Sequence, residues 1–237
     1  YTGQGTDKGG GNIDIDEKYL FFNPKAGLSY QLQDIGMLYG SLAIANREPV
    51  RTDFTDAPAG ITPQPEKLTD VELGFRNRTK NSFYNANFYY MKYTNQLVLT
   101  GKINDVGSPI RSNVGESYRL GLELDGGVKP IDWLNVRANL ALSTTNTDYR
   151  VQLSETGFDL YNDVQISFSP QAIGGIEAQV HPIENGTITW TTRYVSKQYL
   201  DLTENDERTL DAYNFSNLSV AYSIFPGQMK EVQFSLL

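Results

Sequence analysis

Apolar and polar residues alternate along most of the chain. In YRLGLELDGGV, Tyr118, Leu120, Leu122, Leu124 and Val128 share one face, while Arg119, Gly121, Glu123 and Asp125 share the other. WLNVRANLALS sets Leu134, Val136, Ala138, Leu140 and Leu142 against Asn135, Arg137 and Asn139. AGLSYQL, TDVELGFRN and TITWTTRYV repeat the pattern around Leu28, Leu73 and Trp190. Successive side chains of a strand point to opposite faces, so a period of two means strands with one apolar and one polar face. Helical spacing is not sustained anywhere, and the pattern predicts an all-β protein.

The predicted strands are 20–32, 37–48, 67–78, 83–100, 117–129, 132–146, 172–181, 187–199, 213–224 and 230–237. Most exceed the roughly 5–6 residues typical of globular strands and match the roughly 9–11 needed to cross a bilayer at a tilt. Short and long connections alternate without a miss. Tight turns at 33–36, 79–82, 129–132, 182–186 and 226–228 are interleaved with long segments at 49–66, 101–116, 147–171 and 200–212. In an antiparallel up-and-down meander, alternate connections lie at opposite ends. One end therefore carries the turns and the other all the long loops, which is the asymmetry of outer-membrane barrels.

A soluble β-sandwich binding module also alternates in period two, and it is the principal rival. It requires the apolar faces to pack on each other and the protein to be monomeric without detergent. Strand length and loop asymmetry favour the barrel. So do the polar faces, where Arg47, Glu72, Arg76, Arg119, Glu123, Arg137 and Arg193 sit among Gly and Asn, as in a water-filled lumen. Aromatics near strand ends, such as Tyr93, Tyr118, Trp133 and Tyr194, suit interfacial girdles, although strand propensity alone also places aromatics there.

Composition narrows the chemistry. The 237 residues carry 28 Asp and Glu against 20 Lys and Arg, a net charge of −8. That balance, without a basic stripe, argues against nucleic acid as a partner. With no Cys and a single His, thiol chemistry is impossible and acid–base machinery is scarce. No Gly-Xaa-Ser-Xaa-Gly motif occurs, so no enzyme and no cofactor are expected. His181 precedes Pro182 and reads as a turn residue. Asn104, Asp105, Asp201 and the run Glu204-Asn205-Asp206-Glu207 carry oxygen ligands of the kind Ca²⁺ takes, but read better as solvated loop charge. Gly9-Gly10-Gly11 lacks the strand, helix and Lys of a phosphate loop.

The second strand ends in a burst of charge, Arg47-Glu48-Pro49 followed by Arg51 and Asp53. On the barrel reading this burst is the rim of the pore, where Arg47, Glu48, Arg51 and Asp53 either contact a ligand or tie the loop down. Arg forks bind carboxylates within a protein as readily as on a ligand, so the tie is favoured. Asn95 and Gln96 stand under the same caution.

The segments FFNPKAGLSY (21–30), ANREPVRTDF (45–54), PQPEKLTDVELGFR (63–76), residues 87–124, FSPQAIGG (168–175) and YVSKQYLDLT (194–203) resemble, in order, the β-barrel of TonB-dependent outer-membrane receptors of the Bacteroidetes type. The resemblance runs along nearly the whole chain from residue 20. It implies a 22-stranded transmembrane barrel in the bacterial outer membrane, closed by an N-terminal plug and energised through TonB. The imported ligand would be a ferric siderophore, haem, cobalamin or an oligosaccharide, with an iron complex favoured and a glycan-import receptor as the alternative. Residues 1–237 are then expected to be the C-terminal-side portion of such a barrel, with the plug, the TonB-contacting region and the last strands lying outside it. A portion of that kind is expected not to transport alone, and to self-associate through its open sheet edges.

Overall fold

The computed structural model describes residues 2–6, 12–58, 60–152, 158–224 and 232–236. The elements in chain order are β1 (Thr2–Thr6), β2 (Asn12–Asp16), β3 (Lys25–Leu32), β4 (Gly36–Arg47), α1 (Arg51–Thr55), β5 (Glu66–Arg78), β6 (Ser82–Thr94), β7 (Leu97–Ile103) and β8 (Pro109–Asn113). There follow β9 (Glu116–Ile131), β10 (Leu134–Gln152), β11 (Phe158–Val164), β12 (Ala172–Val180), β13 (Gly186–Val195), β14 (Gln198–Tyr199), β15 (Thr209–Leu210), β16 (Tyr213–Ile224) and β17 (Val232–Leu236).

The main sheet is one antiparallel meander, β3-β4-β5-β6-β9-β10-β12-β13-β16-β17, with β11 added to the far end of β10. Its ten strands correspond one for one to the ten predicted. β3 and β17 are its edges. Four predicted bounds shift, one of them the strand expected at 187–199, which ends at Val195, Gln198–Tyr199 pairing with β15 instead. The strand expected at 83–100 breaks at Asn95, whose φ of 55° is tolerated by Asn, and the chain restarts as β7. β10 runs on to Gln152, where it pairs with β11. The first strand begins at Lys25 instead of 20.

The pairing register confirms the two faces. Leu38, Phe75, Ala86, Leu124, Leu140, Gly174 and Tyr194 form one cross-strand row. The neighbouring row holds Met37, Arg76, Asn85, Asp125, Asn139 and Gly175. Among the described residues no layer packs on the apolar face: Leu28 is 86% exposed, Leu73 58% and Leu218 58%. In a sandwich these leucines would be the core, so the sandwich reading is excluded. Outward Tyr84 and Phe75 pair at one end of the band (centroids 5.7 Å apart), and Tyr90 and Tyr118 at the other (6.2 Å). Tyr84 and Tyr90 are six residues apart on β6, about 20 Å along the strand. Outward Lys92 and Glu116 lie just beyond Tyr90 and Tyr118 and pair at 3.1 Å. An apolar band between aromatic rings with ions outside it is the profile of a lipid-facing wall.

The largest cluster of buried apolar residues among the described residues lies elsewhere. Val98, Val114, Val164, Ile166 and Leu202 form the hydrophobic core, with Tyr161 packed against it. All belong to the long connections. The segments expected as loops at 49–66, 101–116, 147–171 and 200–212 contain α1, most of the β7–β8 hairpin, β11 and β15.

Candidate functional site

Two regions carry the polar chemistry: the rim, where the long connections meet the strands, and the polar face of the sheet below it.

At the rim, Arg47 closes β4 and Glu66 opens β5 directly opposite, and their side chains form an ion pair. Asp53 on α1 is buried at 3% exposure. Its Oδ2 accepts the Val50 N–H at 2.8 Å, which holds the start of the helix, and its Oδ1 lies 3.0 Å from Arg111 Nε of β8. Arg47 and Asp53 are thus engaged within the protein, while Glu48 and Arg51 are exposed. Asn95 and Gln96 are also engaged: the Asn95 carbonyl accepts from Asn113 Nδ2 at 2.6 Å, and Gln96 Oε1 accepts from Ser117 at 2.6 Å.

The oxygen-rich loop residues are spent on loop geometry. Asp201 is buried, pairs with Arg208 at 2.8 Å, and accepts from the backbone and hydroxyl of Thr203. Asn104 Oδ1 accepts the N–H groups of Val106 and Ser108, and Glu204 accepts the Gln165 N–H at 2.7 Å. Among the described residues, no three metal-ligating groups converge. Asp206 accepts from Lys197 Nζ at 2.9 Å, and this hydrogen bond holds the ammonium pKa above the ordinary lysine value. His181 sits in the β12–β13 turn, where its backbone N–H donates to the Trp133 carbonyl and its Nδ1 lies 3.2 Å from Thr187 Oγ1.

On the polar face, β3, β4, β5, β6 and β9 line a hollow of about 600 Å³. Tyr39, Ser41, Arg76, Asn85, Asn87 and Glu123 supply its polar groups. Tyr39 Oη donates to Asn87 Oδ1 at 3.0 Å, the Arg76 guanidinium lies 5.9 Å from the Tyr39 ring centre, and Asn85 donates to Asp125. The rings lie flat on the wall because the opposite residue has no side chain. A Cβ on Gly74 would fall 2.1 Å from Tyr39, and one on Gly121 would fall 2.4 Å from Tyr89. This hollow was not singled out in the sequence; its only signal there is the i+2 spacing of polar residues on five separate strands. The set offers donors, acceptors and both charges to a hydrated ligand but contains no thiol or imidazole. It suits binding and passage rather than covalent chemistry.

The chain matches the family model described as TonB dependent receptor-like, beta-barrel, over residues 1–236. No curated protein sequence matches it. Among solved structures it is similar to the ferric yersiniabactin uptake receptor FyuA from Yersinia pestis, at 17% identity and a TM-score of 0.64, covering 92% of this chain and 32% of that one. It is also similar to the siderophore receptor PiuA from Acinetobacter baumannii (19%, TM-score 0.65, 94% and 31%). The copper transporter OprC aligns at 17% identity and TM-score 0.65, over 84% and 31%. At these identities the likeness is one of fold, and the chain spans about a third of each structure's length. A single-layer meander with an uncovered apolar face, a polar inner face and long connections at one end is a stretch of barrel wall, and the chain belongs to the TonB-dependent receptor β-barrel family of the bacterial outer membrane.

Proposed function

We propose that this stretch of wall belongs to a receptor that imports a scarce nutrient across the outer membrane, energised through TonB, and that the nutrient is a ferric siderophore or a similar iron complex. Residues 1–237 act as one barrel unit of that receptor. The observation that carries the transport reading is the pairing of an uncovered apolar face with a polar hollow on the opposite face of the same strands. The iron reading leans on the likeness in fold to the ferric yersiniabactin uptake receptor FyuA and the siderophore receptor PiuA. Exposed Glu48 and Arg51 are the rim residues open to ligand, while Arg47 and Asp53 brace the rim through Glu66 and Arg111.

The test is uptake by cells lacking the complete receptor that carries this segment. A panel of ⁵⁵Fe-labelled siderophores is expected to lose at least one member, with recovery on complementation and no recovery without TonB. Unchanged iron uptake together with lost growth on an oligosaccharide or cobalamin would overturn the iron assignment.

A further inference from the structure

The long connections of such a wall need not touch one another, yet here they interlock through contacts that involve every one of them. The connection from β6 to β9, built on the β7–β8 hairpin, is bonded to the other three. Toward the β4–β5 connection, Arg111 pairs with buried Asp53 at 3.0 Å and Asn104 Nδ2 donates to Asp56 at 3.1 Å. Gln64 and Asn113 exchange two hydrogen bonds of 2.8 and 2.9 Å. Toward the β10–β12 connection, Ser167 donates to the Leu99 carbonyl at 2.8 Å. Toward the β13–β16 connection, Arg208 donates to the Gly101 carbonyl at 3.2 Å. There a Cβ on Gly101 would fall 2.6 Å from Asp201 Cβ, so the two chains are in direct backbone proximity.

The outer two of these partners also meet each other. Gln165 N–H donates to Glu204 at 2.7 Å and Phe168 N–H to the Tyr199 carbonyl at 2.9 Å. The apolar core is shared in the same way. Val98 and Val114 come from one connection, Val164 and Ile166 from a second, and Leu202, with no exposed surface, from a third. None of these segments can bury its apolar residues alone, so each is stable only with the others in place.

We infer that the described residues of the four long connections form one cooperatively folded cap with the β7–β8 hairpin as its hub, and that they open and close as a unit rather than as separate loops. This goes beyond the transport reading and does not depend on which ligand is carried. Any ligand-driven movement at this mouth then displaces the whole cap.

Hydrogen exchange on the complete receptor in detergent tests the inference through Leu202→Ala. Truncating a fully buried leucine is expected to speed exchange about thirtyfold or more in the unit it stabilises. A single unit requires the same factor at the amides of Asp56, Val114, Phe168 and Arg208, although Asp56 makes no contact with residue 202 through its own connection. Val98→Ala in the hub should reproduce the pattern with a smaller common factor. The amides of β5 and β9 below the rim should not change, which shows that the wall is still folded. Acceleration confined to the β13–β16 connection, or different factors in different connections, would overturn the inference.

Discussion

Gly121 and Tyr89 offer the sharpest test of how the wall is built. Tyr89 is only 7% exposed although it faces the polar side of the sheet, because its ring lies over Gly121 of the neighbouring strand. A methyl at that position would fall 2.4 Å from the ring Cζ and Oη and 2.7 Å from Cε1. Ordinary carbon contacts begin near 3.5 Å, so the ring must move by about 1 Å or swing off the wall. Overpacking of this kind costs about 1–3 kcal/mol, a factor of roughly 5 to 150 in the folding constant. The same Gly→Ala change without the ring is close to neutral or mildly stabilising, because Ala restricts the unfolded chain. A double-mutant cycle separates the two terms. Gly121→Ala is made in the native background and in Tyr89→Ala, and stability is read by urea unfolding of the complete receptor in lipid vesicles. The expected coupling is about 1–3 kcal/mol, with the penalty of Gly121→Ala present only when Tyr89 is present. Equal effects in both backgrounds would refute the claim that Gly121 exists to seat this ring.

Other perturbations read the remaining features. Leu140→Arg places a charge on the uncovered face and should cost about 2–4 kcal/mol if it lies near the bilayer centre, whereas Ser143→Arg on the polar face should be nearly neutral; folding yield into vesicles compares them. The two Trp residues, Trp133 and Trp190, are both substantially exposed, so brominated lipids should quench their fluorescence; fluorescence quenched instead by aqueous iodide would contradict the membrane wall. Arg111→Ala strands the Asp53 carboxylate in a buried site and should cost the cap about 1–3 kcal/mol, less than a fully buried pair because Arg111 is partly solvated; faster proteolysis between residues 51 and 58 measures it.

Much of the wall was legible in the sequence, since its rules are local. A lipid-facing strand declares itself by alternation within its own ten residues, and the sequence of turn, strand and long connection fixes the meander. The misplaced bounds occur where alternation loses its meaning. In Thr144-Thr145-Asn146-Thr147-Asp148 both faces are polar, so nothing marks that β10 continues to Gln152. Asn95 joins two apolar stretches that read as one strand, and only its positive φ separates them. The rim was half legible. The charge burst at 47–53 locates it, but Glu66 and Arg111, which engage Arg47 and Asp53, lie far along the chain and on other elements.

The cap could not be read from the sequence for a deeper reason. Its core is assembled from apolar fragments too short to show a period: Leu97-Val98, Val164-Gln165-Ile166, and Leu200-Asp201-Leu202. In a water-soluble domain such fragments would be satellites of a larger core. Here the strands give their apolar residues to lipid, and the cluster of buried apolar residues among the described residues lies in the long connections. The two parts of the molecule thus follow opposite rules. The wall has its apolar residues outside and gains its stability from the bilayer and from cross-strand hydrogen bonds. The cap buries Val98, Val114, Val164, Ile166 and Leu202 together and pairs its buried Asp53 and Asp201 with Arg111 and Arg208, as a globular protein does. Substitutions that harm one should be tolerated in the other: a charge is ruinous at Leu140 and ordinary at an exposed cap position such as Glu207, whereas a lost methyl matters at Val98 and little at lipid-facing Val71.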